Sequence, residues 1–274
     1  MNLRTLLRRV EQIILSRSAY KFLLSDWSRI PDLAGLNEVL ASTRSLRSLR
    51  PVVLDCPKAQ RILVIAPHED DEMIGPGGTL IKAIAAGAEV RVVYLTTEAN
   101  ARGAVRRAET EAVSRRVGYA TEFLGYPADA LPVGAESGAR LAATIARFAP
   151  QIIFVPFVSD DHPDHRKASL VLLEASQQGM AAGGVEVWAY QVYAAVLPNV
   201  VVDITAVHTD KAAAIRTWQS AMASRDWAHF ALGLNAYNAR LLAEGNDRRF
   251  VEAFFVVPLA DYLALTGLYA RRAG

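Results

Sequence analysis

The sequence predicts an α/β protein built on a Rossmann-like, doubly wound and mostly parallel sheet with helices on both faces. Three observations predict this fold. The chain has 274 residues, of which 52% are hydrophobic and 21% charged, which is enough for one large domain with a buried core. From Arg61 onward, apolar runs of strand length alternate with helical patterns, as in right-handed βαβ units. The first of these runs is apolar enough to be buried.

The predicted elements follow one another in a regular order. In chain order they are a strand at 62–66, a helix at 78–86, a strand at 89–96, a helix at 106–117, a strand at 121–125, a helix at 136–148, a strand at 151–157, a helix at 166–177 and a strand at 185–192. Past Pro198 the pattern changes to a strand at 200–204, a helix at 210–222, a loop rich in aromatic residues and Asn, and a final strand at 250–257. This last part is expected to complete one edge of the domain and to form one side of the site.

The first 57 residues differ from the rest, and we predict that 1–57 form an N-terminal helical extension to a catalytic domain at 58–274. Near the start, apolar and mostly basic residues take opposite faces of a helical pattern. The apolar face consists of Leu3, Leu6, Leu7, Val10, Ile13 and Ile14, and the polar face of Arg4, Arg8, Arg9, Glu11 and Gln12. Such a helix can make peripheral membrane contact or bind a partner. The alternative is ordinary packing against its own domain, which such stripes more often mark.

Composition excludes several classes of protein. The formal net charge is +2 and the arginines are spread over several segments, so no nucleic-acid partner is expected. Cys56 is the one cysteine, which rules out an internal disulfide and a thiolate zinc cluster within one chain and indicates a reducing compartment. The sequence has no run of about 18 apolar residues and no secretory signal pattern. We therefore expect a soluble cytoplasmic protein.

Two polar turns follow predicted strands and carry the residues that indicate a function. The turn after the first strand holds His68, Asp70, Asp71 and Glu72. The turn after the strand at 151–157 reads VSDDHPDHRK. Because the carboxyl ends of parallel strands meet at one edge of the sheet, we expect the two turns to lie together. The protein has five histidines, and three of them fall in these turns, which indicates a metal site.

The residue types in the two turns suit hydrolytic metal chemistry. A catalytic zinc ion has three protein ligands and one open position for water. His68 and Asp71, with one histidine from the later turn, meet that count. Such an ion lowers the pKa of its bound water and polarises a carbonyl group. Asp70 lies beside the ligands without being needed as one, so it is the candidate base for that water. Another divalent ion could use the same nitrogen and oxygen ligands.

The two turns resemble the signature motifs of one known family. APHEDDE followed by GPGG, and later HPDH after an apolar strand, are similar to motifs of the LmbE/PIG-L family of zinc-dependent N-acetylglucosamine deacetylases. The resemblance covers most of the chain but not the N-terminal extension. It implies that His68, Asp71 and His165 bind the metal. It also implies that Asp70 is the general base and that His162 stabilises the oxyanion or protonates the leaving amine.

The resemblance gives roles to further residues. Asp164, between the two histidines, would support and tune His162. Arg106 opens a helix that resembles a family helix whose first arginine reaches into the site, where it could hold a sugar hydroxyl, a phosphate or the intermediate. By charge pattern alone, a solvated helix face is an equal alternative for Arg106. The glycines at 75–78 lack the spacing of a dinucleotide loop, and we interpret them as close helix-to-strand packing.

The sequence departs from the family pattern at two places. Glu69 stands where the family usually has proline, which adds a negative charge next to the metal turn and removes some rigidity. The turn at 96–100 reads TTEAN, where the family usually has an Asp-Gly or similar pair. We still expect zinc to bind, and we expect the substrate-binding rim to differ from that of other members.

The expected function is therefore removal of the acetyl group from an N-acetylated amino sugar or sugar conjugate by a zinc-dependent hydrolase. Two alternatives stay open. One is a metal amidase that acts on another acylated metabolite or on a lipid-linked sugar. The other is a metal-binding relative without turnover that acts as a binding module, against which the presence of Asp70 and His162 argues.

Overall fold

The computed structural model describes residues 51–98, 101–180, 183–194, 196–242 and 248–270. The predicted N-terminal amphipathic helix, and with it the hypothesis of membrane contact, lies outside the described residues. Among the helices of the described part, none has the length and apolar character needed to cross a membrane.

In the described part of the chain, eight strands form one mixed sheet. They are β1 (Val52–Leu54), β2 (Arg61–Ala66), β3 (Glu89–Thr97), β4 (Ala120–Pro127), β5 (Ile152–Pro156), β6 (Glu186–Tyr190), β7 (Val200–Asp203) and β8 (Val251–Pro258). Their spatial order is β1-β7-β8-β6-β5-β2-β3-β4. Neighbouring strands are parallel, except that β8 is antiparallel to both β6 and β7. The predicted mostly parallel α/β fold is confirmed.

Helices cover both faces of the sheet. They are α1 (Asp71–Ile74), α2 (Gly77–Ala85), α3 (Ala101–Val117), α4 (Ala135–Phe148), α5 (Pro163–Gln177), α6 (His208–Ile215), α7 (Gln219–Met222), α8 (Trp227–Asn238) and α9 (Leu259–Ala270). Leu141 of α4 and Val171 of α5 belong to the apolar core on one face. Leu80 of α2 and Ala231 of α8 belong to the core on the other face. The sheet is therefore covered on both sides, as the apolar strands predict.

β2 is a central strand and leads into the first polar turn. Its side chains alternate between the two cores, with Leu63 and Ile65 in one and Ile62 and Val64 in the other. A strand that is buried on both faces needs apolar residues at successive positions, which explains the uninterrupted run. β2 lies between β3 and β5, and the strand order reverses at this place. Doubly wound sheets bind ligands at such a switch point, beyond the carboxyl ends of the strands.

The structure differs from the prediction in the last third of the chain. The segment that we predict as a loop contains helix α8, so that prediction is wrong. The side chain of Asp226 caps α8 by accepting the N–H of His229 at 3.0 Å. The buried face of α8 carries Asn235 and Asn238 among its alanines, so its sequence resembles a polar loop. The helix predicted at 210–222 is two helices, α6 and α7, and α9 follows the final strand.

The sheet begins earlier than the predicted domain boundary. β1 lies inside the segment 1–57, and it pairs in parallel with β7. The three residues of β1 therefore belong to the sheet rather than to a separate extension. The division of the chain at residue 57 otherwise stays a prediction.

The glycines that follow the first polar turn pack closely, as the sequence indicates. A Cβ atom on Gly75 would collide with the ring of Tyr190 on β6. A Cβ atom on Gly78 would lie 2.8 Å from the side chain of Ile204. Only a residue without a side chain lets the backbone at these two positions approach Tyr190 and Ile204 so closely.

Candidate active site

The two polar turns meet at the carboxyl ends of the neighbouring strands β2 and β5. Three of their donor atoms form a triangle: Nδ1 of His68, Oδ2 of Asp71 and Nε2 of His165. Asp71 lies 3.3 Å from His68 and 3.2 Å from His165, and the two histidine nitrogens are 3.3 Å apart. Ligands that surround zinc tetrahedrally at about 2.0–2.1 Å lie about 3.4 Å from one another. The triangle therefore has the donor atoms and the size that suit a zinc ion.

Two other groups of possible ligands are less suitable. One joins His68 and His165 with His162, but Nδ1 of His162 already accepts the N–H of Asp164. His68, Asp129 and Asp164 also offer donor atoms within 4.8 Å of one another. However, the Asp129 side chain is 86% exposed, and Asp164 already accepts the N–H groups of Asp129 and Leu131, at 2.7 and 3.2 Å. In the triangle, by contrast, Asp71 and His165 are buried. We therefore take the triangle as the candidate metal site.

Local hydrogen bonds hold the two turns in place. In the first turn, the N–H of His68 donates to Oδ2 of Asp71 at 2.9 Å. In the second turn, His162 caps helix α5, because its Nδ1 accepts the N–H of Asp164 at 3.2 Å. Pro163 then takes the first helical position, where the missing N–H of proline causes no loss. The sequence HPDH thus places His165 in the first turn of α5.

Each histidine of the triangle directs its other ring nitrogen at a carboxylate. Nε2 of His68 lies 3.4 Å from Oδ2 of Asp164. Nδ1 of His165 lies 3.1 Å from Oδ1 of Asp160, at an angle that falls short of a hydrogen bond. Carboxylates in this position fix the tautomer and the orientation of a metal-binding imidazole. Asp160 is almost fully buried, and no pattern in the sequence separates it from the neighbouring Asp161.

Asp164 contacts His68 as well as His162, and its predicted tuning of His162 stays a prediction. Its carboxylate faces His68, whereas its link to His162 is the backbone hydrogen bond of the helix cap. The carboxylate nearest to Nε2 of His162 belongs instead to Asp129, at 3.5 Å. Asp129 lies in the loop after β4 with a φ of +64°. It was missed because no local pattern connects that loop with the HPDH turn.

Asp70 lines a cavity of about 230 Å³, the inner cavity, together with His68 and His162. Its φ is +135°, a conformation that residues other than glycine rarely adopt and that marks a constrained site. Oδ2 of Asp70 accepts a 2.5 Å hydrogen bond from Nη2 of Arg106. The same nitrogen donates to the carbonyl oxygen of Glu69 at 2.8 Å. Burial raises the pKa of Asp70 to about 7, while Arg106 opposes this effect.

The position of Arg106 decides between its two sequence-based alternatives. Its side chain is only 12% exposed, so it does not form a solvated helix face. The guanidinium of the next residue, Arg107, lies over the ring of Phe123, 3.9 Å from its centroid. Arg106 lines the inner cavity, and contact with a substrate stays a prediction. The contact within the protein is with Asp70.

Glu72, to which the sequence assigns no role, connects Asp70 with the core. Its Oε2 accepts the N–H of Asp70 at 3.2 Å, and its Oε1 accepts the hydroxyl of Tyr119 at 2.7 Å. The hydroxyls of Tyr119 and Tyr94 are 3.3 Å apart. Burial raises the pKa of Glu72 to about 8. These hydrogen bonds hold the backbone of Asp70 in its unusual conformation.

Glu69, the departure from the family pattern, is 3% exposed and lines the inner cavity. Its Oε1 has no hydrogen-bond partner among the described residues. Burial raises the pKa of the Glu69 carboxyl. A buried carboxylate oxygen without a partner destabilises a folded protein, so Glu69 does not contribute to stability through that atom.

The chain is similar in sequence to known de-N-acetylases. The family model described as PIG-L, GlcNAc-PI de-N-acetylase, matches residues 63–176, which include both turns. The diacetylchitobiose deacetylase of Thermococcus kodakarensis is 30% identical over 195 residues, which cover 61% of this chain and 72% of that protein.

Two solved structures are similar to the described fold. The N,N'-diacetylchitobiose deacetylase of Pyrococcus horikoshii has a TM-score of 0.64 at 25% identity, with 75% of this chain and 86% of that chain covered. The conserved protein TT1542 of Thermus thermophilus has a TM-score of 0.64 at 26% identity, with 72% and 94% covered.

Proposed function

We propose that this chain, which belongs to the PIG-L family of de-N-acetylases, removes the acetyl group from an N-acetylated amino sugar or sugar conjugate with the aid of zinc. Its two motifs predict membership of the family. The chain is thus a hydrolase of amide C–N bonds. The observation that carries this proposal is the triangle of His68, Asp71 and His165 beside Asp70. A sugar substrate is supported by two of the relatives, which are diacetylchitobiose deacetylases.

In this proposal, His68, Asp71 and His165 would hold the ion. A bound zinc ion would polarise the amide carbonyl and lower the pKa of the attacking water. The two histidines act as neutral ligands, with their other N–H groups directed at Asp164 and Asp160. Because imidazole and carboxylate ligands also suit other divalent ions, zinc is the preferred ion rather than the sole candidate.

Asp70 takes the proton of the attacking water as general base. Its carboxylate is held by Arg106, and a charge-assisted hydrogen bond from a guanidinium both orients a carboxylate and favours its ionised form. Its backbone N–H is held by Glu72. A positioned base of this kind contributes roughly 10²–10⁴-fold to a reaction rate.

His162 stabilises the oxyanion or gives a proton to the leaving amine. Its ring centroid lies 4.8 Å from that of His68 at an angle of 82°. Burial lowers the pKa of His162, and Asp129 lies 3.5 Å from its Nε2. The net reaction adds one water across the C–N bond and releases acetate and the free amine.

Acetate release from N-acetylglucosamine derivatives by zinc-loaded protein tests the proposal. We expect acetate from the wild type and a roughly 10²–10⁴-fold lower kcat for Asp70→Asn, with the zinc content unchanged. Full activity of Asp70→Asn with zinc retained would remove Asp70 as the base. Protein that binds no zinc, together with unchanged activity of His165→Ala, would remove the metal site.

The alternatives have tests of their own. The broader metal amidase would be favoured by acid release from an unrelated acylated metabolite, or from lipid-linked N-acetylglucosamine, that is at least as fast as acetate release from the free and nucleotide-linked sugars. Zinc binding without turnover on any of them would favour a binding module. The cytoplasmic location stays a prediction, and so does contact of the N-terminal helix with a membrane. Liposome co-sedimentation with and without residues 1–30 tests the membrane contact.

A further inference from the structure

The first polar turn continues into α1, a helix of a single turn that ends just before α2 begins. Asp71 is the first residue of α1, and its carbonyl oxygen accepts the N–H of Gly75 at 2.9 Å. A helix this short is not stable by itself, because its first hydrogen-bonded turn fixes several backbone angles for a single hydrogen bond. The position of the Asp71 carboxylate therefore depends on the contacts that hold the end of α1.

A buried ion pair fills the break between α1 and α2. Nζ of Lys211, on α6, donates to the carbonyl oxygen of Gly75 at 3.0 Å and to Oε1 of Glu252 at 2.6 Å. Glu252, on β8, accepts the N–H groups of Gly78 and Thr79 at 2.7 Å each. Helix ends have backbone groups without partners inside the helix. The ammonium thus satisfies a carbonyl at the end of α1, and the carboxylate satisfies two N–H groups at the start of α2.

The ion pair is closed to solvent, and its contacts are specific. The side chains of Lys211 and Glu252 are 0% and 1% exposed, and the ammonium also donates to Oδ1 of Asn235 at 3.0 Å. A buried ion pair is weak evidence for stability, because well-packed apolar residues of similar size are often as good or better. Each charge of this pair, however, binds the backbone of the segment 75–79, which follows the first polar turn directly.

We propose that Lys211 and Glu252 are positioning residues, which fix the end of α1 and thereby hold the carboxylate of Asp71 at the correct distance from the two metal-binding histidines. This inference rests on the proposed function. Neither Lys211 nor Glu252 is among the described residues that line the inner cavity. The pair acts on the site through Gly75, whose carbonyl oxygen binds Lys211 and whose N–H binds Asp71.

Two variants separate positioning from stability. Lys211→Met leaves the carboxylate of Glu252 buried without its partner, which destabilises the fold. The double variant Lys211→Met/Glu252→Gln has no charge left at this place, so it recovers much of the lost stability and decides the question even if the single variant does not fold. Both variants lack the ammonium that holds the carbonyl oxygen of Gly75, so both should have the same defect at the metal site.

The matched control is Leu141→Ala. Leu141 belongs to the apolar core on the other face of the sheet, and its truncation causes a large loss of stability without touching the first polar turn. A defect that follows stability would appear in this variant, whereas a defect in positioning would not.

Zinc affinity and the visible absorption of the cobalt-substituted protein measure the metal site, under conditions in which every variant tested is folded. We expect the Kd for zinc to rise about tenfold in Lys211→Met and in the double variant, as it does when other residues that orient metal ligands are lost. The absorption bands of Co²⁺ depend on coordination geometry, and they should change in both variants. Leu141→Ala should keep the wild-type Kd and the wild-type bands.

Two outcomes would overturn the inference while the proposed function stands. One is a double variant with the zinc Kd and the cobalt spectrum of the wild type, because the two charges would then only neutralise each other. The other is a loss of zinc affinity in Leu141→Ala as large as that in the double variant, because the loss would then follow stability.

Hydrogen exchange tests the inference without a metal ion. The N–H groups of Met73, Ile74 and Gly75 form the hydrogen bonds of the single turn of α1. In the double variant, we expect the exchange of these amides to accelerate about tenfold more than that of the β2 amides, because the turn opens locally. In Leu141→Ala they should accelerate no more than those of β2. If the wild type binds neither zinc nor cobalt, the proposed metal site is wrong. Exchange then decides on the ion pair, and equal acceleration of α1 and β2 in the double variant overturns its positioning role.

Discussion

The guanidinium of Arg106 donates a 2.5 Å hydrogen bond to the carboxylate of Asp70, so the proposed base and an arginine of α3 form one unit. Asp70 follows β2, whereas Arg106 comes from the helix after β3. Both side chains are largely buried, where the interaction between opposite charges is stronger than in water. The primary partner of Arg106 in the folded chain is therefore the base.

We expect Arg106→Met to lower kcat by about 10²-fold with little change in KM and in zinc content, because Asp70 loses the group that orients it. Steady-state kinetics with zinc analysis measure this. Arg107→Met is the matched control, since Arg107 lies over Phe123, and it should keep the wild-type kcat. A rise in KM at constant kcat would assign Arg106 to substrate binding instead.

Asp160→Asn should weaken zinc binding by about 10–100-fold, as loss of a carboxylate behind a metal-binding histidine usually does. The reason is that Asp160 faces Nδ1 of His165. Competition with a chelator measures the Kd for zinc. Asp161→Asn is the matched control because Asp161 is exposed, and equal Kd values for the two variants would contradict a role of Asp160 at the metal.

Tyr119→Phe should lower kcat about tenfold and the free energy of unfolding by about 1–2 kcal/mol. The variant removes the hydroxyl that holds Glu72, which in turn holds the N–H of Asp70. Tyr262→Phe also removes a buried tyrosine hydroxyl, which contacts Ser169 on the other side of the sheet. It should lose similar stability but keep its kcat. If both variants lose the same activity, the effect of Tyr119 is one of stability alone.

Lys211→Met should lower the free energy of unfolding by about 3–5 kcal/mol, because it leaves a buried carboxylate without its partner. Nζ of Lys211 donates to Oε1 of Glu252 at 2.6 Å, and the same carboxylate accepts the N–H groups of Gly78 and Thr79 at the start of α2. Urea unfolding measures the change.

The control for this pair is Arg115→Met. Arg115 pairs with Glu111, and the two side chains are 71% and 49% exposed; exposed pairs contribute at most about 1 kcal/mol. A loss for Lys211→Met no larger than that for Arg115→Met would mean that the buried pair contributes little to the fold.

Glu69→Gln should raise the free energy of unfolding by about 1 kcal/mol, because it removes the charge from a buried side chain whose Oε1 has no partner among the described residues. Zinc content should not change. Glu98→Gln, at a more exposed position of the same cavity, should leave the stability within about 0.5 kcal/mol of the wild type. A destabilised Glu69→Gln would show that the carboxylate is satisfied in solution.

Local order in the sequence is enough to predict several parts of this protein. A strand that is buried on both faces requires an apolar run, so β2 can be predicted from the sequence. The HPDH turn can be predicted because a helix cap, a proline and a histidine must follow one another at fixed spacing. The positions of His68, Asp71 and His165 at one edge then followed from the parallel sheet.

The residues that complete the site from distant parts of the chain come together only in the assembled fold. Asp129, Tyr119, Tyr193 and Trp227 lie in separate connections and meet the two turns only when the sheet is assembled, so no spacing in the sequence relates them. Helix α8 was missed for the same reason. Burial of the Asn235 side chain is favourable only with a hydrogen-bond partner, and in the folded chain that partner is Lys211. A polar group can be buried only where another element provides such a partner.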